Sequence, residues 1–347
     1  MKSVLYYMFL SSMTLFVSEA FSQDISSDTY ADLNFRNIGP ATMSGRIVDL
    51  DVVEKDPFTF YLATATGGVW KTTNNGVTFK PVFENEATHS IGDIVIHQKH
   101  PSHIWVGMGE RASRQSNSWG DGVYYSKDAG KTWINKGLKD THHIGRIVVH
   151  PEDTNTVFVA AMGHLWGPNK ERGLYKTTDG GETWKNVLYI DENTGVVDVA
   201  MDPSNSSILY ASTYQRRRKP YGFHGGGPGS GLYKSVDGGN SWNKITAGLP
   251  SGEMGRIGIS IYRKNPNVVY ISVEQGFQYN ASTAYTRRKA GIYRSDDKGV
   301  SWTFMSDWNP RPMYASQILV DPNDDKRIYM MNQYSYSDDG GKTFVAP

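Results

Sequence analysis

Arginine and large aromatic side chains gather in four segments of this chain, residues 110–121, 164–172, 215–230 and 275–290. The first holds Glu110, Arg111, Arg114 and Trp119, and the second holds His164 and Trp166. The third runs Gln215-Arg216-Arg217-Arg218-Lys219-Pro220-Tyr221 and continues through Phe223 and His224 into a glycine-rich stretch. The fourth carries Gln275, Phe277, Tyr279, Tyr285, Arg287 and Arg288, and Trp308, Arg311 and Tyr314 follow further along. Guanidinium groups grip carboxylates in bidentate fashion, and buried or rigid aromatics anchor recognition sites. The chemistry on offer is recognition of a glycan or an extended peptide. Its candidate residues are Arg111, Trp119, His164, Trp166, Gln215, Arg216, Arg217, Tyr221, Arg287 and Arg288. Packing of the loops against one another is the alternative use of the same side chains.

Other chemistries find less support. The chain contains no cysteine, so disulfides and thiolate metal sites are excluded. His142 and His143 are adjacent at a strand entrance, where alternation sends them to opposite faces, and no metal site is expected. Gly225-Gly226-Gly227 is followed by Pro228 rather than by the Lys-Ser/Thr of a phosphate loop, and no cofactor is expected. A formal net charge of +1 supplies no global field toward nucleic acid, despite the basic run 216–219.

The elements that position these segments repeat. Six times the chain writes Ser or Thr, x, Asp, x, Gly, x, Thr or Ser, then an aromatic, and the aromatics fall at 79, 133, 184, 242, 302 and 344. The first copy has Asn74 where the others have Asp128, Asp179, Asp237, Asp297 and Asp339. Such a spacing marks one supersecondary unit per copy, as in propeller folds. Within each period the order is constant: an apolar strand, a polar turn containing Pro, a β-branched and aromatic strand, a loop of variable length, a third strand and the signature. Four short antiparallel strands per copy make an all-β propeller. Blades are expected at about 40–85, 86–138, 139–189, 190–248, 249–308 and, incomplete, 309–347, within a larger propeller. The signature reads as turn chemistry, with Asp accepting backbone N–H groups and Gly supplying positive φ. It joins the third strand to the fourth, so it lies opposite the long loops that join the second to the third. Binding residues on rigid scaffolds concentrate on such loops.

Residues 1–22 read as a signal peptide, with Lys2 before an apolar stretch from Val4 to Val17 and small residues for cleavage near Ala20–Ser22. Residues 23–39 form an N-terminal segment ahead of the propeller at 40–347. The mature protein is expected to be secreted, periplasmic or at the cell surface, with no membrane span beyond the signal peptide.

The repeats resemble the Asp-box (BNR) propellers of exported bacterial proteins with sortilin-like N-terminal domains, which are related to xyloglucanase-type glycoside hydrolases. The stretches GGVWKTTNNG, SIGDIVIHQKHPSHIWVG, HIGRIVVHP and NPRPMYASQILVDP carry the likeness, which covers about residues 35–347. It implies a propeller with glycan or protein ligands. In the xyloglucanase-type enzymes it also implies a base Asp before a Gly-Gly pair. The matching stretch here is Tyr61-Leu62-Ala63-Thr64-Ala65-Thr66-Gly67-Gly68, with Ala65 where that Asp is expected. The segment is therefore expected to bind without cutting. The hydrolase alternative rests on two other carboxylates, Glu110 and Glu274, expected at equivalent strand ends.

Overall fold

The computed structural model describes residues 46–114, 116–275, 290–314, 316–331 and 334–346. The expected signal peptide, the segment 23–39 and the start of blade one lie outside these residues, as do Arg287 and Arg288 and the side chain of Gln275.

Six antiparallel sheets follow one another along the chain and form a β-propeller. Blade one is built from Ile47–Val52, Phe60–Thr64, Val69–Thr72 and Lys80–Pro81, each strand paired with the next. Blade two repeats this with Ile91–Ile96, Ile104–Met108, Val123–Ser126 and Ile134–Asn135. Blade three uses Ile144–Val149, Val157–Ala161, Gly173–Thr177 and Lys185–Leu188. Blade four uses Thr194–Met201, Leu209–Lys219, Gly231–Ser235 and Asn243–Ile245, with an added strand, Gly222–Gly225, paired to its second. Blade five uses Met254–Ile261, Val269–Gln275, Gly291–Ser295 and Thr303–Ser306. Blade six shows Ile318–Val320, Ile328–Met330 and Ser335–Ser337, and an isolated Tyr336–Val345 bridge stands where its fourth strand would pair. One short 3-10 turn, Lys139–Thr141, is the only helical element named among the described residues.

The core lies between blades rather than at a common centre. Tyr61, Ala63, Val69 and Phe83 of blade one pack on Ile94, Ile96, Val106 and Met108 of blade two in a single buried cluster. Equivalent clusters fill the seams between blades two and three, three and four, four and five, and five and six. Val, Ile and aromatic residues dominate these seams because both faces of a blade are covered, which suits β-branched side chains on pleated strands.

The signature turns are stitched by their own side chains. In blade two the Ser126 hydroxyl donates to Asp128 Oδ1 at 2.8 Å. Asp128 in turn accepts the N–H groups of Lys131 and Thr132 at 3.0 and 2.9 Å and the Thr132 hydroxyl at 2.7 Å. These bonds, led by the one from Thr132, hold the Asp128 carboxyl at about 2. Asp237 and Asp339 make the same set of contacts, and Asp179 and Asp297 make it without the N–H three residues on. Asn74 reproduces it with one donor reversed, its amide nitrogen giving a 2.9 Å bond to Thr78. The signature glycines carry φ values of 78–87°, and the residue before each is also left-handed, including Ala129 at 61° and Lys298 at 58°.

The signature also ties neighbouring blades. Tyr61 and Lys71 of blade one both donate to the Ala129 carbonyl of the blade-two turn. Tyr210 and Lys234 of blade four do the same to the Lys298 carbonyl of blade five. Trp133 reaches back to the Val82 carbonyl at 2.6 Å and packs edge-on against Phe83. These contacts rigidify the face opposite the long loops.

Candidate functional site: the arginine-lined pole of the propeller axis

The innermost strands of blades one, two and four each carry a bulge, and the residue after it is an aspartate: Asp49, Asp93 and Asp198. A bulge re-aims the side chain that follows it. Each aspartate accepts a backbone N–H from the innermost strand of a neighbouring blade: Ile94 to Asp49 at 3.2 Å, Ile147 to Asp93 at 2.7 Å, and Ile259 to Asp198 at 3.0 Å. Arg146, at the same rung in blade three, bridges Asp93 and Asp198.

Arg111 enters this ring from above. Its guanidinium lies 2.6 Å from Asp93, 3.7 Å from Asp49 and 3.2 Å from the Gly145 carbonyl, and it also donates to the side-chain oxygen of Gln317 in blade six. Arg256 of blade five donates to the carbonyls of Arg111 and Tyr314. What remains between Arg111, Arg146, Arg256 and Asp198 is a void of about 10 Å³, about the least that one water requires. The axis is plugged at mid-height. Arg111, expected on an exposed binding loop, is 4% exposed and is the plug itself.

Glycine sends it there. Gly109 has φ +85°, and a Cβ on it would sit 1.9 Å from the His142 carbonyl, so no other residue fits the turn that aims 110 and 111 inward.

Above the plug stand the second-strand ends. Pairing of Leu62, Val106, Val159, Ala211 and Ile271 with their first strands defines one rung in blades one to five. Three residues on from it are Ala65, Gly109, Met162, Tyr214 and Glu274. Glu274 is therefore the blade-five counterpart of Ala65. Glu110 lies one residue beyond its rung, so the two carboxylates are not at equivalent strand ends as expected.

Both carboxyls are enclosed. Glu110 is fully buried and pairs with Arg46 at 2.5 Å, while its second oxygen has no partner. Glu274 accepts the Arg256 N–H at 3.0 Å, and burial pushes its carboxyl up to about 8. Neither stands free in an open groove.

The third segment is not the loop expected. The second strand of blade four runs on to Lys219 and folds back through Gly222–Gly225, pairing Arg216 with Gly225 and Arg218 with Phe223. Alternation then puts Tyr214, Arg216 and Arg218 on one face and Gln215 and Arg217 on the other. Arg216 is 1% exposed, and Gln215 is buried with its side-chain oxygen accepting from Gly229 N–H. These two are interior residues, contrary to expectation, and Arg217 remains exposed.

Arg46, Ser113, Arg114, Arg218, Arg311 and Tyr314 line a cavity of about 450 Å³ at this pole. Nε of Arg46 and Nε of Arg218 are buried there without a hydrogen-bond partner. All three guanidinium nitrogens of Arg216 are equally unpartnered, and the Tyr214 hydroxyl is buried toward Ser113. Burial first, then the neighbouring charge of Arg172, pulls the Arg216 guanidinium down to about 9.

Aromatic side chains surround this pole. Trp119 is 65% exposed and stacks toward His142, whose ring in turn stacks on His164 at 3.7 Å. His164 also bonds the Asp140 carbonyl. Trp166 is 45% exposed, and its backbone bridges to Arg218. Tyr221 is exposed beside Lys219, and Phe223 lies under Arg218 at 4.9 Å. Arg172 holds the second loop in shape through the carbonyls of Met162, His164 and Gly167. Sequence reasoning missed Arg46, Arg172, Tyr214 and Arg256. Arg46 and Arg256 each follow a strand-opening glycine, a shared pattern that could have flagged them.

The fold is an all-β propeller with six blades among the described residues, and its long-loop pole is rich in arginine. The Sortilin-Vps10 family (sortilin, neurotensin receptor 3) matches residues 121–288. Xyloglucanase Xgh74A of Acetivibrio thermocellus is 29% identical over 211 residues, 52% of this chain and 22% of that protein. A probable oligoxyloglucan-reducing end-specific xyloglucanase of Neosartorya fischeri is 26% identical over 60% of this chain and 22% of its own length. Among solved structures, the GH74 enzyme of Niastella koreensis superposes with a TM-score of 0.62 at 20% identity, covering 84% of this chain and 45% of that one. YCF48 from Cyanidioschyzon merolae gives 0.54 at 18% identity, covering 89% and 87%. The chain is thus similar to sortilin-type propellers and to xyloglucanases. It spans about a fifth of the length of the curated relatives it matches.

Proposed function

We propose that the long-loop face holds a polysaccharide chain and that this segment is the glycan-recognising part of an exported, xyloglucanase-related protein. The observation that carries the reading is the pairing of exposed Trp119, Trp166 and Tyr221 with an open arginine-lined cavity at one pole. Flat aromatic faces with a few convergent polar groups are the usual composition of a ligand site. The curated relatives, named as xyloglucanases, favour a glycan over a peptide. Ala65 is completely buried, and a methyl group cannot take a proton, so blade one holds substrate rather than cutting it.

A second reading is hydrolysis through Glu274. It is favoured by the relatives and by the place of Glu274, a carboxyl protonated below about pH 8 at the rung of Ala65. A glycosidase needs such an acid together with a second carboxylate.

Affinity electrophoresis of the full chain through gels containing xyloglucan tests the first reading. Retardation is expected, reduced by Trp119→Ala and by Trp166→Ala at unchanged melting temperature. Free migration through xyloglucan and every other polysaccharide of a panel would overturn it. Release of reducing ends, abolished by Glu274→Gln, is what the second reading requires.

A further inference from the structure

The buried guanidiniums at the pole lack what buried charges need. An uncompensated charge in a protein interior is costly, and natural proteins pair it or ligate it. Arg216 is 1% exposed with three unpartnered nitrogens, and Arg172, Arg218 and Arg256 surround it with further positive charge. Among the described residues no carboxylate forms an ion pair with Arg114, Arg172, Arg216, Arg218 or Arg311. Asp191 acts on Arg172 from a distance without forming an ion pair, and the two carboxylates at the second-strand ends do not cancel the remaining charge. Glu110 is committed to Arg46, and Glu274 is held in its neutral form by burial. Among the described residues, the cavity wall thus carries Arg114, Arg218 and Arg311 without a carboxylate partner, with buried Arg216 behind Arg218 on the same strand, and low-dielectric walls focus that charge.

We propose that this cavity takes the carboxylate of an acidic saccharide, a uronic acid unit of a bound glycan. Arg218 and Arg311 face the carboxylate from the cavity wall, and Arg216 stabilises it from beneath Arg218 on the same strand face. The Nε groups of Arg46 and Arg218 are free donors for its oxygens or for adjacent sugar hydroxyls. Charge-assisted, fork-shaped contacts of this kind favour planar carboxylates. Tyr314 in the wall and Trp166 beside Arg218 offer faces for the sugar rings. The inference rests on the glycan reading above and narrows it to acidic glycans.

The test is calorimetric titration of the full chain with three probes: trigalacturonate, its methyl ester and a neutral xylogluco-oligosaccharide. Trigalacturonate is expected to bind at least tenfold tighter than the ester, with affinity falling as NaCl rises. Arg218→Gln and Arg311→Gln should each weaken it about tenfold. Arg216→Met should raise the melting temperature of the free protein, by removing an unpaired buried charge, and should abolish the stabilisation that trigalacturonate confers. Equal affinity for acid and ester overturns the proposal, as does equal competition by free acetate or sulfate, which marks an adventitious ion only. If the neutral oligosaccharide alone binds, the acidic-glycan inference fails and the glycan reading stands. If none binds, both fail. A melting temperature lowered by Arg216→Met with binding intact would make Arg216 structural and remove it from the site.

Discussion

Glu274 gives the most quantitative handle on the pole. Its carboxyl titrates near 8 in the folded chain against a reference of 4.5, with burial as the largest cause, partly countered by the Arg256 N–H and by the Arg256 charge. The folded state binds the proton more tightly than the unfolded one, so the protonated group favours folding. That contribution is fully present below pH 4.5 and is lost as the pH rises through 8. At about 1.4 kcal/mol per pH unit, wild-type protein should lose about 4 kcal/mol from this group between pH 5 and pH 9. Asp51, raised by burial to about 7, loses stability in the same direction, so the comparison must be made between wild type and variant. Glu274→Gln preserves shape and an acceptor for the Arg256 N–H while removing the titration. Urea unfolding at pH 5, 7 and 9 should show a flatter profile for the variant by about 4 kcal/mol. Parallel profiles for the two proteins would refute the protonated, desolvated Glu274.

Further predictions concern the scaffold. Asp93→Ala leaves Arg111 and Arg146 without their shared carboxylate and Ile147 N–H without its acceptor, and it should cost about 3–5 kcal/mol in urea unfolding. A loss below 1 kcal/mol would mean that the axial ring contributes little. Asp128→Ala removes four turn bonds in a solvent-exposed place and should cost about 1–2 kcal/mol without altering glycan retardation. Ala129→Gly relieves a left-handed backbone at φ 61° and should stabilise by about 1 kcal/mol, and a destabilised variant would contradict that reading.

The blades could be read from the chain because their determinants are local. A third strand, an Asp or Asn that bonds the residue four positions on, and a glycine with positive φ all lie within eight positions, so spacing alone locates each turn. The site was less legible because its determinants are not local. Arg111 looks like any loop arginine until Gly109 turns it inward and aspartates from two blades receive it. Arg216 and Arg217 are adjacent and identical, and only the continuation of their strand to Lys219 buries one and exposes the other. Glu110 and Glu274 read as equivalent strand ends, and one residue of register separates them. Residue type was visible, whereas direction depended on bulges and on the neighbouring blades.

The central claim is that the long-loop pole is the glycan-binding face. Hydrogen exchange of the full chain, with and without saturating xyloglucan or trigalacturonate, maps the contact directly. Protection is predicted in 110–114, 116–121, 164–172 and 215–230, with the signature turns around Asp128, Asp179, Asp237 and Asp297 unchanged. Protection confined to those turns, or an unchanged pattern with either glycan, would contradict it.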